Sequence, residues 1–101
     1  MSKRDDDAFL LKCKRALMIP QEEEFADDEI RLNIKACETY LAGIGVSKEA
    51  AESDDPLIEV LMLIYVKTFY GFKADGSVKE LPSSFDIICR QLALTRGEEA
   101  Q

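Results

Sequence analysis

From residue 57 to residue 69 every position is apolar except Glu59, Lys67 and Thr68. On a helical projection that run leaves almost no polar face, the pattern of a helix that other elements surround. Its start is marked by Asp54 or Asp55 as N-cap and by Pro56 at the first helical position. Gly71, free to adopt a left-handed conformation, marks its end. The run is 13 residues long, short of the roughly 20 that a bilayer crossing needs. The pattern therefore predicts a central helix over about 55–70, in a soluble bundle.

Around it the spacing predicts three more helices. Phe9, Leu10, Cys13, Ala16 and Leu17 recur at helical intervals after the acidic run 5–7, which suits an N-cap and first turn. Ile19-Pro20 closes that helix, because a residue before proline is pushed out of the helical region. Residues 1–4 carry no pattern and read as a free end. Ile30, Ile34, Cys37, Leu41 and Ile44 predict a helix from about 25–28 to 42. Residues 46–53 read as a loop or a short extra turn. Ser83 followed by Asp86 has the form of a capping box, after which Phe85, Ile88, Cys89 and Leu92 line one face of a last helix. Asp75-Gly76 is a tight-turn signal, which suits the tip of a short β-hairpin over 72–81 or a bare loop there. The expectation is an all-α fold, a small bundle of about four helices in a single domain over 1–101. Its ordered core should span about 6–95, with flexible termini.

Composition narrows the function. The chain has 101 residues, 47% hydrophobic and 33% charged, enough for one core. Its net charge is −7, from 13 basic and 20 acidic residues, a poor basis for gripping a phosphate backbone. There is no histidine, which excludes His-dependent triads and metal sites. Cys13, Cys37 and Cys89 are far apart, an odd number inside apolar patterns, and read as reduced buried thiols rather than a disulfide framework or zinc site. Cys13 lies between Lys12 and Lys14, which could lower its pKa. No partner base accompanies it, so a half-buried helix residue is the simpler reading. The acidic runs 5–7, 22–24 and 27–29 lack the alternating spacing of a calcium loop. No cofactor and no metal are expected, and the chain does not read as an enzyme. The N-terminus has no apolar h-region of a secretory signal.

Candidate contact residues are few. Lys12, Lys14 and Arg15 form the main basic cluster, suited to an acidic patch on a partner subunit. Tyr65 and Phe69, four apart, read as core packing. Tyr70 and Phe72, at the exit of the central helix, suit an interface anchor.

The order of these elements resembles a known family. Lys14, Leu17, Ile19 and Pro20 end the first helix; Asp28, Ile30 and Ile34 open the second; Asp55-Pro56 opens the third. Leu81-Pro82 then precedes a helix with Phe85, Ile88 and Leu92. Over about residues 8–94 this resembles the tailed-phage head–tail connector proteins, also called head-completion or DNA-packaging adaptor proteins. The resemblance implies a structural subunit of a phage or prophage virion, assembled in the host cytoplasm. It implies a self-assembled ring beneath the portal that extends the DNA channel and joins capsid to tail. Implied partners are other copies, the portal protein and tail-side connector or stopper proteins; DNA would pass without specific binding, and no membrane is involved. An acidic channel wall would repel phosphate and let the duplex slide. The alternative is a small acidic regulatory or inhibitory binder, such as a DNA mimic. A mimic should carry its carboxylates in a regular double row, whereas here they cluster at helix starts and connectors.

Overall fold

The computed structural model describes residues 2–71 and 81–96. Five helices follow one another there: α1 (Asp6–Ala16), α2 (Asp27–Gly43), α3 (Lys48–Ala51), α4 (Pro56–Phe69) and α5 (Ser83–Arg96). No strand forms among the described residues, and the all-α expectation holds. The helix beyond the expected four is α3, a single turn within 46–53. The hairpin-or-loop segment at 72–80, with Phe72 in it, lies outside the described residues.

Capping explains most of the boundaries. The Asp5 carboxylate accepts from the Asp7 and Ala8 amides at 3.0 and 3.1 Å. Asp55 accepts from the Leu57 amide at 3.0 Å, with Pro56 at the first helical position. Ser47 accepts from the Ala50 amide at 3.1 Å and so starts α3. Each cap satisfies an amide that the first turn cannot. At the far end of α4, Tyr70 leaves in an extended conformation and Gly71 follows with φ +72°.

The end of α1 holds a feature that proline alone does not explain. The Met18 amide donates to the Arg15 carbonyl and the Ile19 amide to the Lys14 carbonyl. This is a Schellman pair, and Met18 occupies its left-handed position at φ +61°. Glycine is the usual residue there, because a Cβ is strained at positive φ. The Met18 side chain is 90% exposed and packs on little. Met18→Gly is therefore expected to stabilise the protein by about 0.5–1 kcal/mol, read as a rise in the urea midpoint at unchanged m-value. A lower midpoint would mean that the methionine side chain supports the turn.

α4 packs against α1, α2 and α5. It contributes Ile58, Leu61, Met62 and Val66 to the core, against Phe9, Leu10 and Cys13 of α1 and Ile30, Ile34, Cys37 and Leu41 of α2. Phe85, Cys89 and Leu92 bring in α5, and Val46, Ala50 and Ala51 complete the cluster. One point corrects the sequence reading: α4 is not enclosed all round. Leu57 and Val60 are 45% and 46% exposed, because the neighbouring helices cover the stripe through 58, 62 and 66 and leave the start of α4 open.

The second correction concerns residues 2–4, which are not a free end. The Arg4 amide donates to the Glu52 carbonyl at 2.8 Å and the Asp54 amide to the Ser2 carbonyl at 2.7 Å. Between them Lys3 and Ser53 form an isolated antiparallel bridge. The Arg4 side chain is buried. One guanidinium nitrogen donates to the carbonyls of Ala51 and Ser53 at 3.1 and 3.0 Å, and the other pairs with Glu38. The guanidinium also lies over the Phe9 ring, 5.3 Å from its centroid. A single arginine thus links the N-terminal arm to α1, α2 and α3.

Candidate assembly surface

The basic trio of α1 divides three ways. Lys12 is half exposed and its ammonium meets Glu59 of α4 at 2.9 Å. Lys14 is buried; its ammonium pairs with Asp27 at 2.8 Å and donates to the Gln21 carbonyl at 2.9 Å. Only Arg15 is exposed without a recorded partner among the described residues. Lys14 therefore acts inside the subunit, holding the 17–26 connector against α1 and the first turn of α2. Lys14→Met is expected to cost about 2 kcal/mol, because it leaves a half-buried Asp27 carboxylate and the Gln21 carbonyl without their donor. Arg15→Ala should leave stability within about 0.5 kcal/mol. Urea denaturation of both variants checks this; equal effects would contradict the division.

Tyr70 is half-buried against the core, and the Gly71 amide donates to the Glu29 carboxylate at 2.8 Å. That bond ties the exit of α4 to the first turn of α2, so the chain leaves the bundle from a fixed point. Tyr65 and Phe69 do pack together, their rings tilted by 49° at 4.7 Å between centroids, as their spacing predicts. The sequence reading missed Tyr40, which joins them through Tyr65 at 6.5 Å and Phe85 at 5.8 Å. Tyr40 lies outside the α2 stripe, so only the tertiary arrangement reveals it.

Besides Met18, Tyr40 and Ile44, the large apolar side chains left in solvent among the described residues fall into two sets. On α4 and α5 they are Leu57, Val60, Ile87 and Leu94; at the entry and outer face of α2 they are Phe25 and Leu32, at 73% and 69% exposure. Between α4 and α5 runs an apolar groove of about 370 Å³ lined by Leu57, Ile88, Gln91, Leu92, Leu94 and Thr95. That is near the lower bound for small-molecule pockets. Sets of this kind mark contact surfaces more often than catalytic ones.

Chemical candidates do not converge on a site. Cys13, Cys37 and Cys89 are free and buried. Burial pushes the Cys13 and Cys37 thiols up to about 12 and Cys89 up to about 11, so all three stay protonated. For Cys13 the flanking lysines do not offset this, since Lys12 and Lys14 both reach toward carboxylates. No group of acidic or cysteine side chains among the described residues could hold a metal ion. No described helix is long and apolar enough to cross a membrane.

What decides the family is a match to the sequence model described as phage connector protein, over residues 9–99. The chain belongs to that family. Membership makes it a phage connector protein, a structural component of the virion. The match covers all five helices but for the first turn of α1. No curated protein and no solved structure matches the chain.

Proposed function

We propose that this connector protein is a head–tail connector subunit whose copies form a ring beneath the portal, extend the DNA channel and join capsid to tail. The observation that carries the reading is the family match across residues 9–99. The whole chain acts as a single domain in a non-enzymatic role. Its partners are other copies, the portal protein above and a tail-side connector or stopper below. It is assembled in the host cytoplasm and retained in the virion. The net charge of −7 supports a channel that DNA traverses without specific binding, since carboxylates repel the phosphate backbone. The exposed apolar residues at both α2 and α4/α5 support contacts on more than one face, as a ring requires. Native mass spectrometry of the chain with and without its portal protein tests the reading. The expected product is a single closed oligomer, alone or on the portal. A discrete dimer with no larger species, even with portal present, would contradict it.

A further inference from the structure

We propose that copies of this chain associate head to tail, with the face carrying Phe25 and Leu32 of one subunit seated in the α4/α5 groove of the next. This deepens the ring reading and rests on it for the identity of the occupant, a second copy. The groove is a continuous apolar surface. Of its lining residues Leu94 and Leu57 are 87% and 45% exposed, and Val60 and Ile87 are further exposed apolar residues on the same two helices. Single exposed leucines are ordinary, but a set of this size around a groove is an unfilled contact. Phe25 supplies an aromatic anchor, held in the turn that enters α2, and Leu32 lies seven residues further on.

Charge sets the direction of the contact. Residues 17–29 hold six acidic side chains and no basic one, and Glu22, Glu23, Glu24 and Asp28 among them are exposed around Phe25. The segments 56–71 and 81–96 hold three basic residues against two acidic, a net of +1. On α5, four residues before Leu94, Arg90 is 79% exposed; it pairs with the exposed Asp86 at 3.0 Å, a surface pair weak enough to exchange for an incoming carboxylate. Two acidic connectors facing each other would repel, and two grooves facing each other would leave both Phe25 rings in water. Connector against groove satisfies both charge and apolar area. Phe25 enters α2 beside the exit of α4, whereas the groove lies at the start of α4 and the end of α5, so the contact joins two different surfaces, is heterologous and propagates to a ring or a filament.

Two variants at exposed positions separate the halves of the contact: Phe25→Asp removes the anchor and Leu94→Asp spoils the groove. Both should keep the wild-type circular dichroism spectrum and melting profile. In sedimentation velocity over rising concentration, the wild type is expected to form large species. Each variant alone should associate about tenfold or more weakly. Mixed, they should yield a one-to-one heterodimer and nothing larger, since one intact anchor meets one intact groove. A mixture that stays monomeric, or a Phe25→Asp protein that associates like wild type, overturns the proposal. So does a wild type that stays monomeric to millimolar concentration, although rings templated by the portal would then still stand. A heterodimer as described, with no ring on the portal, would keep the contact and remove the connector reading.

Discussion

Replacing Arg4 by methionine is expected to lower the unfolding free energy by about 3 kcal/mol. Removing one partner of a buried pair costs about 3–5 kcal/mol because the remaining charge stays desolvated, and Glu38, with a side chain 13% exposed, belongs at the lower end. The Ala51 and Ser53 carbonyls lose their donor in the same step. For a domain of this size the melting temperature should fall by roughly 15 °C. Part of the loss depends on pH. Burial raises the Glu38 pKa from its ordinary value, while Arg4 and, more weakly, Lys35 oppose the rise. Without Arg4 the folded-state pKa rises further, so the folded protein then binds a proton that the unfolded chain has released. The resulting penalty is complete above the folded-state pKa and disappears as pH falls below the unfolded value. The deficit of Arg4→Met should therefore be largest at neutral pH and shrink on acidification. Adding Glu38→Gln should recover part of it at neutral pH, whereas Arg4→Lys should recover little, since an ammonium cannot reproduce the two-sided fork. A pH-independent deficit, unmoved by Glu38→Gln, would mean that Arg4 acts through the Ala51 and Ser53 carbonyls and the Phe9 ring rather than through Glu38.

Truncating Phe85 to alanine should cost about 3–5 kcal/mol. The ring is 1% exposed and closes the aromatic cluster, 5.8 Å from Tyr40 and 6.3 Å from Tyr65. Along α5 it is one of three fully buried side chains, with Cys89 and Leu92. Its loss should loosen α5 before the rest of the bundle, so hydrogen exchange ought to rise first over residues 85–95. Phe85→Leu, which keeps most of the volume, should cost about 1.5 kcal/mol or less. Urea denaturation gives the magnitudes and hydrogen exchange the location. Uniform loosening of all helices would contradict the view that α5 is docked mainly through this ring.

Local patterns foretold what local chemistry controls. Asp5, Asp55 and Pro56 mark helix starts because their hydrogen bonds close within a few residues. Most periodic positions of α1, α2 and α5 are covered because an apolar stripe has one way to face a core; Ile44, 37% exposed, departs from this because α2 ends at Gly43 and leaves it at the C-cap. The arrangements that escaped are long-range. Nothing near Arg4 announces partners at 38, 51 and 53, and a charged residue four positions from the N-terminus reads as surface. Lys14 looked like a third of a basic patch because the chain reversal that brings Gln21 and Asp27 to its ammonium has no periodicity. Met18 sits where glycine is usual, so residue type gave no sign of its positive φ. The open start of α4 escaped for another reason: an apolar helix reads the same whether its cover comes from its own chain or from a neighbour.

Cryo-electron microscopy of this chain mixed with its portal protein tests the central claim most directly. The account predicts a closed ring of helical subunits coaxial with the portal on its tail-facing side, leaving an open channel wide enough for duplex DNA. Portal particles with no added ring, or with the chain bound away from the axis, would contradict it.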